Sequence, residues 1–308
     1  MIKIVISIGG NALSLNPRDD AVLLKPVAKL IVSLFKEGNK ILLTAGNGPQ
    51  SGELLECFVD ANKQNSHHNI LPLDEVDAIS QGYIGYHVNK AIEADALNSN
   101  VKINTACIST LTIVDENDSG FLKPTKPIGC FYKTLDEAKA IYPNDPIIED
   151  AGRGYRKVVA SPKPISFMNI KSIKTCFDNG IVTITGIGGG VPCVISGKKL
   201  IPKEGVIDKD FSTAKLAISL ESDILLIITS VPYVYIDFNK ATQKPIKNIT
   251  PIELEKLIKQ YDFGKGSMEP KLLSAIEYVK TTNKIAIITD IENASEAINL
   301  KAGTIIKN

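Results

Sequence analysis

The sequence predicts an α/β protein with an open, mostly parallel sheet, and three observations carry that expectation. Short unbroken apolar runs recur at 3–8, 40–44, 181–185, 223–229 and 285–289, the pattern of strands buried on both faces. Several of these runs stop at glycine: Gly9-Gly10 after the first, Gly46, Gly48 and Gly52 after the second, and 186–190 after a later one. Between the first two runs lies a single amphipathic stretch, and a β-loop-α-β opening is the crossover that parallel pairing requires.

In chain order, Val22, Leu23, Val27, Leu30, Ile31, Leu34 and Phe35 recur at helical spacing, with Pro26 near the first turn and Gly38 as the stop. After the 40–44 strand, Leu54, Leu55, Phe58 and Val59 continue as a helix, so the 46–52 loop joins a strand end to a helix start. Residues 76–96 read as a longer helix. Gly82 and Gly85 each cost it roughly 1 kcal/mol relative to Ala, which points to close packing or backbone approach there. A strand is expected over 101–110. From about 115 to 165, six prolines (124, 127, 143, 146, 162 and 164) break any long period and mark an insertion or small subdomain.

The sheet pattern then resumes with 181–185, a hairpin over 192–201 turning at Gly197-Lys198, and a helix through Ala214, Leu216, Ala217 and Leu220 after Asp208-Lys209-Asp210. Thr250-Pro251-Ile252-Glu253 has capping-box spacing, predicting a helix to about Tyr261. Gly264-Lys265-Gly266-Ser267 leads into a helix through Leu272, Leu273, Ile276 and Val279. The strand 285–289, a short helix from Ala294 and the segment 303–306 close the chain.

Composition removes several function classes. With 35 basic and 34 acidic residues the net charge is +1, so no whole-protein field favours nucleic acid or an anionic membrane. Phosphate affinity has to be local. The five cysteines (Cys57, Cys107, Cys130, Cys176 and Cys193) form no CxxC pair and are odd in number; they read as reduced core thiols, with no zinc site or disulfide framework. No metal-ligand set is evident. Of three histidines, His67 and His68 sit in a polar, surface-like stretch. With no signal-like segment and no apolar run near ~18 residues, a cytoplasmic protein is expected.

Four glycine loops, at 9–10, 46–52, 186–190 and 264–266, end or follow expected strands. Glycine lets backbone amides approach an anion, and ligands of open α/β sheets bind at the strands' carboxyl ends, where these loops should converge. None fits the dinucleotide or P-loop spacing, and no protein-kinase signature is present. Phosphate binding must use another scaffold. Lysines at loop edges are its natural complement, since phosphoryl transfer depends on positioning and charge neutralisation. Lys209 lies between Asp208 and Asp210, and Lys271 falls in the first turn of a helix. From spacing alone, DKD reads first as a solvated helix start capped by Asp.

These residues occur in nine ordered segments: IGGNAL at 8–13, GNGPQ at 46–50, SQGYIGY at 80–86, PTKPIG at 124–129, EDAGRGYR at 149–156, SPKP at 161–164, GGGVP at 188–192, GVIDKD at 205–210 and GKGSMEPK at 264–271. In this set and order the chain resembles the carbamate kinases, a branch of the amino acid kinase family. The resemblance implies a sheet sandwiched between helix layers in a single domain over 1–308, a subdomain protruding at about 115–165, and a homodimer. It implies a substrate-binding N-terminal half and a nucleotide-binding C-terminal half. The implied reaction joins carbamoyl phosphate and ADP to ATP and carbamate, with Mg2+ accompanying the nucleotide and no permanently bound cofactor.

Residue by residue, the resemblance implies that Gly9, Gly10 and Asn11 hold the transferring phosphate and that Gly46, Asn47 and Gly48 flank the carbamate. Lys209 and Lys271 would contact the nucleotide phosphates and the moving group, Asp210 would orient them, and Lys126 would reach in from the subdomain. The chain departs from the family pattern at Ala45, Ser51, Ala160, Ile187 and 230–233. Those departures bear on substrate choice and pocket shape. Two other readings stay open: a kinase of the same fold acting on another small carboxylate or phosphonate, and a silent paralogue that only binds.

Overall fold

A computed structural model of the chain describes residues 1–9, 20–150 and 152–308, with backbone alone for Asp20, Ala21 and Lys265. Gly10 and Asn11 lie outside the described residues. The strand Lys3–Ile8 sits inside an eight-stranded sheet, between Ile224–Ile228 on one side and Lys40–Ala45 on the other. Beyond Ile224–Ile228 come Ile285–Thr289, Thr304–Ile306 and Asn248–Ile249; beyond Lys40–Ala45 come Val182–Ile184 and Thr105–Cys107. Every pairing is parallel except that of Ile285–Thr289 with Thr304–Ile306.

Residues 4 to 8 are fully buried, because helices cover both faces of the sheet. Their side chains alternate between two cores. Ile4, Ile6 and Ile8 pack with the helices Lys25–Lys36 and Leu73–Asn98, while Val5 packs with Lys209–Ser219 and Glu269–Thr282. Ser7 shares the face of Val5. The chain passes from the first strand to Lys40–Ala45 on one side and returns much later to Ile224–Ile228 on the other, which makes a switch point at the carboxyl end of the first strand.

Local signals were mostly legible. Pro26 lies in the first turn of Lys25–Lys36, the Thr250 capping box forms with Glu253, and Ser196 opposes Lys199 across the Gly197-Lys198 turn. Other expectations need correction: the helix expected from Val22 is split into Asp20–Leu23 and Lys25–Lys36. The helix after the second strand starts at Gly48 and runs to Gln64, so Gly48 and Gly52 belong to it and not to a loop. The 101–110 strand shrinks to Thr105–Cys107, because only this stretch pairs, at the edge of the sheet. Of the cysteines, all free, only Cys193 is buried; Cys57, Cys107 and Cys130 are exposed, on a helix face, the edge strand and a small peripheral sheet.

That small sheet lies within the proline-rich stretch. Lys126–Tyr132, Tyr155–Val159 and Ile147–Glu149 form an antiparallel unit with the helix Leu135–Ile141. Its strand Lys126–Tyr132 docks on the helix Gly48–Gln64 where two glycines meet: a Cβ on Gly52 would lie 2.5 Å from the backbone nitrogen of Gly129. Glu56 secures the contact, its Oε1 accepting from the Cys130 N–H at 2.7 Å.

Glycine in a helix therefore has different reasons at different places. Gly85 packs against Cys107, as close approach requires, whereas Gly82 is exposed with nothing within 4 Å of an added Cβ. Gly52→Ala should lower stability by about 1–3 kcal/mol through overpacking against backbone that cannot rotate away. Gly82→Ala should be neutral or stabilise by up to about 1 kcal/mol. Paired thermal melts check the opposite signs.

Candidate active site

At the switch point the first strand, the helix Lys209–Ser219 and the helix Glu269–Thr282 bring three charged side chains together. Asp208 caps the first helix, its Oδ1 accepting from the Asp210 N–H at 3.0 Å. The next residues, Lys209 and Asp210, turn toward Ser7. Lys209 Nζ donates to Ser7 Oγ and to Asp210 Oδ1, both at 2.6 Å, and Ser7 Oγ donates to the same Oδ1 at 3.2 Å. From the other helix, Lys271 Nζ donates to Asp210 Oδ2 at 3.0 Å and to the Ser267 carbonyl at 3.0 Å.

Asp210 is only 5% exposed. Burial pushes its carboxyl up, but the ammoniums of Lys209 and Lys271 and their hydrogen bonds overcome this and hold it well below the usual carboxylate range. Lys209 is shifted down, first by burial and also by Lys271, with Asp210 acting in the opposite sense. One carboxylate thus aligns two ammoniums whose mutual repulsion would otherwise part them.

The cluster forms one wall of a cleft of about 210 Å³. Gly46 and Asn47 line it from the end of the second strand, Gly48 and Pro49 from the first turn of the helix Gly48–Gln64, Gly188 from the glycine turn, and Gly266 and Ser267 from the π-helical turn Gly264–Met268. The glycine turn is possible only without side chains: Gly186, Gly188, Gly189 and Gly190 all have φ between +62° and +86°. Ile187, which interrupts that run, is buried in the core. Lys126 reaches the cleft from the small sheet, with its Nζ 2.9 Å from Asp208 Oδ2. Asp208 therefore both caps its helix and pairs with a lysine across the cleft. Among the described residues, three ammoniums and two carboxylates line the cleft, a local positive surplus in a chain of net charge +1.

The structure thus gathers Lys126, Lys209, Asp210, Lys271, Gly46, Asn47 and Gly48 at one cleft. Gly9, partly buried, follows Ser7 by two residues but is not among the cleft-lining residues; Gly10 and Asn11 lie outside the described residues. Sequence reasoning missed Ser7, although it interrupts the apolar residues Ile4 to Ile8. It also missed the pairing role of Asp208 and the network behind Asn47.

In that network Asn47 Nδ2 lies within hydrogen-bond distance of Ser51 Oγ, Ser80 Oγ and Asp77 Oδ1, at 2.8, 3.0 and 3.2 Å. Ser51 Oγ donates to Asp77 Oδ1 at 2.8 Å. Burial is the main cause that pushes the Asp77 carboxyl up to about 7, with Asp74 adding to it and the hydrogen bonds from Ser51 and Asn47 opposing it.

The amino acid kinase family matches residues 3–290, and the chain belongs to that family. Among its relatives, a carbamate kinase of Oenococcus oeni is 41% identical, covering 99% of this chain and 98% of its own. A carbamate kinase-like protein of Mycoplasma pneumoniae is 40% identical over 99% of both. The solved structure of Giardia lamblia carbamate kinase bound to AMP-PNP superposes with a TM-score of 0.90 at 37% identity, covering 99% of this chain and 98% of that one. Among the described residues no helix is long and apolar enough to cross a membrane.

Asp77 yields a prediction with a definite sign. Its pKa rises from 3.8 to about 7 on folding, so the folded state holds a proton that the unfolded chain has lost. Its contribution to stability is therefore fully present below about pH 4 and is lost as pH rises through about 7. Asp77→Asn should remove that slope. Melting temperatures across this range should show the variant gaining on the wild type as pH rises; parallel curves would refute the assignment.

Proposed function

We infer that this chain is a carbamate kinase, transferring a phosphoryl group between carbamoyl phosphate and ADP to give ATP and carbamate. The observation that carries the reading is the Lys209–Asp210–Lys271 cluster facing Lys126 across a glycine-lined cleft. A β-phosphate oxygen of ADP attacks the phosphorus of carbamoyl phosphate, the bond from phosphorus to the carbamoyl oxygen breaks, and carbamate leaves with that electron pair. Negative charge is spread over the moving group throughout, so fixed cations are what the protein must supply.

Lys209 and Lys271 neutralise that charge from the nucleotide side, and Asp210 keeps both ammoniums aimed. Lys126 approaches from the small sheet, and Pro127 beside it restricts the backbone. Gly9, Gly10 and Asn11 hold the transferring phosphate, while Gly46, Asn47 and Gly48 flank the carbamate. Acceptor binding falls to the N-terminal half, with the 115–165 unit as its protruding subdomain, and nucleotide binding to the C-terminal half.

Mg2+ enters as part of the nucleotide substrate and screens its phosphates. Asp210 is committed to two lysines and Asp208 to Lys126 and its helix cap, and no group of three or more metal-ligating side chains occurs among the described residues. An ion held mainly by nucleotide oxygens fits that set. We further assign a cytoplasmic location and a homodimer, which sedimentation at working concentration tests.

Ala45 and Ser51 beside the acceptor loop favour asking whether another small carboxylate or a phosphonate is preferred. Coupled ATP formation from ADP and carbamoyl phosphate, with acetyl phosphate as control donor, decides this. No ATP from carbamoyl phosphate with folded, nucleotide-binding protein would sink the carbamate kinase reading.

Three substitutions test the roles. Lys126→Ala should cut turnover by roughly 10²–10³-fold with little change in ADP affinity, the scale of losing one preorganised electrostatic donor. Turnover within a few-fold of wild type would remove Lys126 from the chemistry. Lys271→Ala should lower turnover with the fold intact, checked by kinetics beside a melting curve. Asp210→Asn should reduce turnover more than ADP affinity, and it should also lower the melting temperature, because two poorly solvated ammoniums lose their counter-charge.

A further inference from the structure

Behind Gly46, Asn47 and Gly48 lies a buried polar network. Asn47, Ser51, Asp77 and Ser80 are each no more than 3% exposed, and a carboxyl in such a place costs stability unless its hydrogen bonds do something an apolar side chain could not. These bonds constrain one group, the side-chain amide of Asn47. Its Nδ2 carries two hydrogens and is met by three acceptors, Ser51 Oγ, Ser80 Oγ and Asp77 Oδ1.

The serines are themselves directed. Ser51 spends its proton on Asp77 Oδ1 and Ser80 spends its proton on the Asp77 carbonyl, so both hydroxyls turn lone pairs toward the amide. Oδ1 of Asp77 accepts from Ser51 and Asn47 whether or not the other carboxyl oxygen carries a proton. A flipped amide would set its carbonyl against these acceptors. Gly188 closes the remaining side, because a Cβ there would overlap the amide of Asn47.

We propose that Asp77, with Ser51 as relay, is a positioning residue that locks the Asn47 amide with its NH2 group turned inward, leaving the carbonyl oxygen to select an N–H donor on the acceptor. This rests on the acceptor-side role given above to Gly46, Asn47 and Gly48. The chemistry then separates two donors of the same phosphoryl group: a carbamoyl group offers N–H to the Asn47 oxygen, and an acetyl group offers a methyl. A site built to hydrogen-bond a substrate N–H rejects an analogue lacking it by about 10⁴–10⁵-fold, because its own polar atom is left unpaired. Ser51, a departure from the family pattern, thereby acquires a function together with Asp77.

The test compares kcat/KM for carbamoyl phosphate and acetyl phosphate at saturating ADP in wild type, Asp77→Asn and Ser51→Ala. An asparagine at 77 can donate to the Asn47 oxygen and so permits the flipped amide. The carbamoyl-to-acetyl ratio should fall by at least about 10²-fold in Asp77→Asn and by about 10-fold in Ser51→Ala, with KM for ADP within twofold of wild type. An unchanged ratio in folded Asp77→Asn overturns the proposal; if that variant does not fold, an unchanged ratio in Ser51→Ala does so.

A second readout needs no substrate. In 15N-labelled protein the Asn47 side-chain NH2 should exchange slowly with solvent in wild type and at least about 10-fold faster in either variant that folds, because its inward bonds are lost. Equal exchange rates overturn the lock even if carbamoyl phosphate proves not to be a substrate, so failure of the functional reading and failure of this one are told apart.

Discussion

The carboxylate of Asp210 is the point on which the site depends. It takes Lys209 and Ser7 on one oxygen and Lys271 on the other, which fixes three elements relative to one another: the first strand, the helix Lys209–Ser219 and the helix Glu269–Thr282. Two ammoniums brought together without it would repel, and in a poorly solvated corner that repulsion would be strong. With it they form a rigid positive wall. The same interaction concentrates positive charge at one cleft of a chain with almost no net charge.

That carboxylate is reached only because of how the central strand is buried. Helices on both faces force the apolar character of Lys3–Ile8, and the alternation of side chains places Ser7 on the face that carries the two lysine-bearing helices. The switch in strand order opens the cleft at the same end. Core and chemistry are therefore not separable along this strand: the residues that hold the sheet together also set the position of the hydroxyl beside the charge cluster.

The opposite wall is built by a different device. Gly52 and Gly129 let the helix Gly48–Gln64 and the strand Lys126–Tyr132 come into backbone contact, and Glu56 holds that strand by its main chain. The strand starts at Lys126, so its docking determines whether this ammonium reaches across to Asp208. The helix that receives the strand also begins at Gly48, next to Asn47, which ties the small sheet to that end of the cleft.

How much of this was legible depended on range. Features determined by a few neighbouring residues could be read from the sequence: the parallel-sheet pattern, the capping box at Thr250, the two-residue turn at Gly197-Lys198, and the ordered motifs that imply the kinase family and its lysines. Exposure of the cysteines was misread, because a thiol's burial depends on which helix face or sheet edge it falls on. Gly52 looked like part of a phosphate loop, yet tertiary packing makes it a contact for Gly129 from 77 residues away, and no local pattern encodes that partner. Ser7 and Asp77 were hidden for a related reason. A lone serine in a strand and an aspartate in a helix have ordinary local readings, and only the fold, by removing water and setting Lys209 beside one and Asn47 beside the other, decided which groups they hold.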